Sequence, residues 1–282
     1  MIKTPNQLKG KIKNIAKGDS SLSQAYLRTY MLERFLERVS LSKYKNNFIF
    51  KGGILVASYT SLNLRTTMDV DATIEALPVT EIDMKNIVDE IINVDVPDNV
   101  SFAIKSVFNI MEERNYPGLR FVLDASFGKI VQKITLDFST GDKIVPKAIE
   151  YKYKLMFEDR YINLMTYNLE NILAEKIETI LSKGLANTRM RDYYDIYLLL
   201  DNNDKLDLES LKTALIHTCK VRGTLDLLEN FENILNDVLV NKTLKNQWNV
   251  FLGRSTYAKK VQWEDAINKI VKLMQSIKLV RL

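Results

Sequence analysis

The hydrophobic periodicity changes once along the chain, near residue 160, and that change limits the folds open to it. Before that point, helical spacing and strict in–out alternation take turns; beyond it every periodic segment reads as helix. The first part predicts helices at about 5–16, 21–40 and 81–92, and a short buried one in ILVASYTSL, 54–62. Strand-like runs fall at FIF (48–50), DVDATIE (69–75) and about 101–112, 119–127 and 130–138. Asn115-Tyr116-Pro117-Gly118 and Gly128-Lys129 supply the turns between the last three. The second part predicts helices at about 167–183, 189–201, 207–220, 223–239, 241–252 and 261–277, with short connections that favour antiparallel packing. Strands, a crossover helix and a meander describe an α+β core over 1–160, followed by a helical domain over 161–282.

Within the strand DVDATIE, residues two apart share a face, about 6.5–7 Å apart along the chain. Asp69 and Asp71 therefore point one way, with Thr73 and Glu75, while Val70, Ala72 and Ile74 point into a core. A wet strand face is one reading. The other is a cation clamp, since two carboxylates on one face suit a pair of divalent ions about 3.5–4 Å apart, the arrangement of phosphoryl and nucleotidyl transfer. A third carboxylate from a neighbouring strand would complete it. In KITLDFSTGDK, Asp137 faces away from Ile134, Leu136 and Phe138, in mid-strand where Asp is disfavoured without a partner. It reads equally as the lead into the turn after Phe138.

Upstream, Gly52-Gly53 breaks a strand just before a helix. Such a turn lets a phosphate approach the backbone, and the following helix start adds N–H donors. A purely structural tight turn is the plainer explanation.

The metal chemistry is bounded by what the chain lacks. Cys219 and His217 are its only cysteine and histidine, which excludes an internal disulfide and a Cys/His zinc site. Any metal must sit on carboxylates, which favours Mg²⁺ or Mn²⁺. No apolar run reaches the length of a membrane span and the N-terminus lacks the apolar core of a signal peptide, so a soluble cytoplasmic protein is expected. The net charge of +5 is concentrated at the ends. Residues 1–20 carry Lys3, Lys9, Lys11, Lys13 and Lys17 against Asp19, and the stretch from Gly253 carries Arg254, Lys259, Lys260, Lys269, Lys272, Lys278 and Arg281 against Glu264 and Asp265. Basic ends suit a polyanionic partner; solvated helix faces explain them too.

In NLENILAEKIETILSKG, Lys176 falls inside the apolar stripe of Leu169, Ile172, Leu173, Ile177 and Ile180. It either snorkels to the edge or reaches an anion such as a nucleoside triphosphate (NTP). In TRMRDYYDIYLLL, Asp192 and Asp195 share a helix face with Ile196 and Leu199. They either pair with Lys176, Arg189 or Arg191 as structural ions, or one of them orients Lys176 or acts as a general base.

Taken in order, FKGGILVA, RTTMDVD, AEKIETIL and RMRDYYDIYLL resemble the AbiEii/AbiGii toxin family of nucleotidyltransferases over about residues 48–200. These are toxin halves of bacterial abortive-infection (phage-defence) toxin–antitoxin pairs, a group that includes the mycobacterial MenT toxins. The resemblance implies a DNA polymerase beta-type nucleotidyltransferase core. It makes Lys51, Gly52 and Gly53 the nucleotide-binding glycine turn, Asp69 and Asp71 the catalytic metal-binding pair, and Lys176 a nucleotide-contacting lysine. Arg65 and Thr66 match the basic and hydroxyl positions before D-x-D, Asp192 is the acid of the last block with Asp195 close behind, and Asp137 suits the third metal-binding carboxylate. Many relatives carry Ser or Thr right after the glycines; Ile54 stands there, so that side-chain contact is lost.

Such toxins are similar to enzymes that add nucleotides to the 3′ end of tRNA and stop translation. An NTP and an RNA acceptor are then the substrates. A cognate antitoxin acts mainly at the transcriptional level, with no stable complex required and no membrane involved. Two alternatives stand beside this: the same transfer to a small-molecule or protein hydroxyl, and a nucleotide-binding module without turnover.

Overall fold

The alternating runs of the first part form strands, and those strands join into one sheet. The computed structural model describes residues 1–59, 69–110, 118–140, 144–202, 206–255, 258 and 261–278. They divide into two compact units: Met1–Ser58, Asn63–Asp142 and Ile149–Thr166 in one, Tyr59–Leu62, Lys143–Ala148 and Tyr167–Leu282 in the other.

The first unit holds β1 (Phe48–Lys51), β2 (Asp69–Ile74), β3 (Val100–Ile110), β4 (Gly118–Phe127), β5 (Ile130–Ser139), β6 (Ile149–Lys154) and β7 (Tyr161–Thr166). Their order is β3-β4-β5-β2-β1-β7-β6. β2 runs parallel to β5 and β1 parallel to β7; the other neighbours are antiparallel. One face is closed. On it Val70, Ala72, Leu136, Phe138 and Phe121 are fully buried, and Phe138 meets the rings of Phe48 and Phe121 at 5.2 and 5.5 Å. Helix α2 (Ser20–Leu41), started by the Asp19 side chain accepting from the Leu22 N–H, packs on β5 and β7.

Burial along most of α2 forces its charges into pairs, because a lone buried ion is costly. Arg38 forks onto Asp98 at 2.7 and 3.0 Å and donates to the Val100 carbonyl. Arg34 reaches Glu37 at 2.8 Å, and Arg160 reaches the same carboxylate at 3.0 Å.

Two expectations are corrected here. Residues 161–166, assigned to the helical part without a helix of their own, are strand: Ile162, Leu164 and Thr166 are buried, Tyr161 and Asn163 exposed. Six residues are too few to separate the two periods, and the parallel partner β1 decides. Nor is 223–239 one helix. Gly223, at φ +68°, ends a helix in left-handed geometry, and a short 3₁₀ turn follows before the next.

The second unit is helical: α5 (Leu169–Lys183), α6 (Met190–Asp201), α7 (Leu208–Arg222), α8 (Phe231–Val240), α9 (Lys242–Arg254) and α10 (Trp263–Ser276). The α1 (Pro5–Ala16), α3 (Gly53–Tyr59) and α4 (Glu81–Ile92) helices belong to the first unit. Tyr193, Tyr194, Trp248 and Trp263 are buried together, and the indole N–H groups donate to the carbonyls of Val261 and Leu239. No described helix is long and apolar enough to cross a membrane.

Glu33 on α2 is fully buried, and its carboxylate accepts from the Met156 N–H at 2.9 Å and the Tyr153 hydroxyl at 3.2 Å. Burial outweighs those donors and pushes its pKa up to about 8. Between its ordinary value and about 8, the folded protein holds a proton that the unfolded chain releases, so stability falls as pH rises. Glu33→Gln, which copies the neutral form, is expected to flatten the fall of Tm across that window in thermal melts. A slope unchanged from the parent would mean the carboxyl is already ionised in the fold.

Candidate active site

Parallel pairing of β2 with β5 sets Asp71 directly opposite Asp137, with Asp69 opposite Thr135 one step along the same face. One carboxylate oxygen from each of Asp69, Asp71 and Asp137 lies within 4.8 Å of the others, and all three residues are half-buried. The face is not simply wet, since Thr73 on it is only 1% exposed. A half-buried, all-oxygen donor set of this size fits a hard divalent cation such as Mg²⁺ or Mn²⁺.

Three acids so close repel, and the sheet supplies cations beside them. Arg120 on β4 is paired in register with Asp137 and holds it bidentately, Nε to Oδ1 at 2.8 Å and Nη2 to Oδ2 at 2.6 Å. Those bonds, with the field of Asp69 and Asp71, push the guanidinium pKa further up. Lys51 ends β1 opposite Asp71. Arg120 is a residue the sequence reading passed over. Its signal was there: the two-residue Gly128-Lys129 turn sets Phe127 opposite Ile130, and counting back along both strands brings Arg120 to Asp137.

The glycine turn touches the same cluster. Gly52 has φ +72°, and a Cβ built on it would lie 2.3 Å from Asp71 Oδ2. The missing side chain is thus room that the carboxylate fills. Gly53 is the first residue of α3. Arg65 and Thr66 lie outside the described residues.

A second cluster stands within the helical unit. The Lys176 ammonium on α5 pairs with Asp192 Oδ1 at 2.8 Å and Asp195 Oδ2 at 2.7 Å on α6. The lysine does not snorkel: its side chain is 14% exposed, and Asp195 is fully buried. Arg189 adds a contact to Asp192 Oδ2 at 3.2 Å. Of the basic ends, Lys3 and Lys11 donate to backbone carbonyls of Pro97 and Phe157, and Lys269 pairs with Asp201.

The family model described as nucleotidyl transferase AbiEii toxin, type IV toxin–antitoxin system, matches residues 34–269. The chain belongs to the AbiEii toxin family. It is a nucleotidyltransferase of a toxin–antitoxin system, and both clusters lie inside the matched span. No curated protein matches this AbiEii-family chain in sequence. Among solved structures it is similar to JHP933 from Helicobacter pylori at 15% identity and a TM-score of 0.50, over 90% of this chain and 91% of that one. An antigenic nucleotidyltransferase-like protein from Paracoccidioides brasiliensis aligns with 79% of this chain and 92% of its own, at 17% identity and a TM-score of 0.38. The first likeness bears on the fold alone.

Gly52→Ala is expected to strain the backbone by about 1–2 kcal/mol and to push Asp71 out of register with its neighbours. Mn²⁺ affinity, read by electron paramagnetic resonance, should drop roughly tenfold or more. Affinity equal to the parent's would mean that the carboxylate has other room to occupy.

Proposed function

We propose that this AbiEii-family toxin transfers a nucleotide from an NTP to the 3′ hydroxyl of an RNA, the 3′ end of tRNA in particular, and blocks translation by doing so in the cytoplasm. The observation that carries the reading is the convergence of Asp69, Asp71 and Asp137 beside the Gly52 turn. Asp69, Asp71 and Asp137 would hold Mg²⁺ or Mn²⁺; a bound ion supplies charge neutralisation on phosphate oxygens and lowers the pKa of a bound hydroxyl.

The protein's own contribution is placement. Lys51, Gly52 and Gly53 are assigned the triphosphate contact that the family implies, through backbone N–H groups, since the room at Gly52 itself is taken by Asp71. Lys176, oriented by Asp192 and Asp195, is assigned the nucleotide contact that the family implies; Arg65 and Thr66 are assigned the same on sequence alone. The acceptor 3′ hydroxyl releases its proton to solvent as its oxygen attacks the α-phosphorus, the bond to the oxygen bridging the β-phosphate breaks, and pyrophosphate departs. The cognate antitoxin of such a toxin acts at the transcriptional level and need not bind it.

The test is purified protein with total tRNA, Mg²⁺ and each α-labelled NTP in turn, resolved on a denaturing gel. Label is expected in RNA with the parent protein and below detection with Asp69→Ala or Asp71→Ala, and both variants should melt with the parent. Label on a small molecule or a protein instead would overturn the RNA assignment, and full activity in both variants would sink the carboxylate mechanism.

Lys176→Ala should raise the KM for NTP roughly tenfold. Its loss leaves Asp195 buried without that cation, so a lower Tm is expected as well, and the kinetics are read on protein still folded. An unchanged KM for every nucleotide would return Lys176 to a structural role.

A further inference from the structure

The register of the sheet draws a straight row across its open face. Lys51 on β1 stands opposite Asp71 on β2, Asp71 opposite Asp137 on β5, Asp137 opposite Arg120 on β4, and Arg120 opposite Phe108 on the edge strand β3. Paired residues share a face, so all five side chains emerge on the side of the carboxylates. Strands lie about 4.8 Å apart, which puts the Phe108 position about 10 Å from that of Asp137. Phe108 is 53% exposed, so much of its ring is open to solvent. Arg120 beside it is 44% exposed, and only two of its donors serve Asp137.

Displacement at phosphorus fixes which end of the row serves which substrate. Attacking and leaving oxygens must lie roughly in line across the α-phosphorus. With the triphosphate on the Gly52 side, at the Lys51 end, pyrophosphate leaves toward β1. The acceptor hydroxyl must then arrive from the opposite side, over β5, β4 and β3. What that side offers is a guanidinium followed by an exposed aromatic ring. A guanidinium binds a backbone phosphate, and an exposed ring stacks an unpaired base of any sequence. Lys133 is exposed on the same face, and Lys105 offsets Asp124 there at 3.3 Å, so the acids of the outer strands are matched by cations.

We infer that the open face of β4 and β3 is the docking track of the acceptor RNA: the terminal unpaired base stacks on Phe108, and Arg120, while still steadying Asp137, takes the adjoining phosphate. This rests on the RNA reading above. The track recognises a single-stranded end through phosphate and ring face rather than through a base edge, so it sets where the acceptor lies and not which sequence it carries.

A short single-stranded RNA with 2-aminopurine as its last nucleotide and a free 3′ hydroxyl tests this, with the full chain and Mg²⁺ but no NTP. The parent protein should quench the fluorophore on binding. Phe108→Ala and Phe108→Leu should each lose most of the quench and raise the KM for RNA roughly 5- to 100-fold, with the KM for NTP within about twofold. Phe108→Trp should restore both. Leucine keeps apolar cover without a ring face, so its behaviour separates stacking from packing, and Phe108 is exposed enough that all three variants should melt with the parent. Quench and RNA KM unchanged in Phe108→Ala would overturn the track, as would an equal rise in both KM values, or no quench with the parent. The two readings fail differently. A parent that labels RNA regardless of Phe108 leaves RNA transfer standing and removes the track; a parent that labels no RNA at all removes the transfer itself.

Discussion

The parallel pairing of β2 with β5 is the constraint on which the carboxylate face depends. It brings Asp71 and Asp137 side by side and Asp69 within reach of both, an arrangement that like charges alone would never choose. The other face of the same strands holds it in place. Val70, Ala72, Leu136 and Phe138 are fully buried there, and a slip of one residue would turn them out to solvent and the acids inward. The repulsion among the carboxylates is therefore set against the apolar core beneath them, with Arg120 and Lys51 as local counter-charges. Gly52 completes the fit by leaving Asp71 the volume that any other residue would claim.

Much of this was legible in the alternation of DVDATIE and KITLDFS, which assigns every residue of β2 and β5 a face. Alternation does not say which strands are neighbours. That Asp137 joins the pair on β2 depends on a strand order in which β5 lies beside β2 and β4 beyond it, and long-range pairing leaves no periodic trace. The short strand β7 was hidden for a related reason: its length supports either period until β1 pairs with it. Gly223, by contrast, was a visible breaker at the head of the stretch read as one helix at 223–239: it caps the helix before it in left-handed geometry, and a 3₁₀ turn separates it from the next.

Lys176 illustrates a subtler limit. A helical wheel shows a lysine in an apolar stripe and two aspartates on an apolar face, but it cannot tell pairing from catalysis. The geometry joins the three through bonds of 2.7 and 2.8 Å, and a lysine so held is still a lysine of fixed direction. Pairing and function are not exclusive, because a buried carboxylate that fixes an ammonium also aims it.

The row Lys51–Asp71–Asp137–Arg120 has a consequence for anything that approaches the sheet from a distance. Read across the strands, its signs run plus, minus, minus, plus. Such a sequence has no net charge and, by its symmetry, almost no dipole, so it acts as a linear quadrupole. Its potential decays far more steeply with distance than that of two bare carboxylates, even before salt screens it. A polyanion therefore feels little repulsion from this strip until it is nearly in contact, and then meets the positive ends first. Asp69 stands one step off the row and adds its own charge to it, so a distant phosphate chain meets one residual negative charge rather than three.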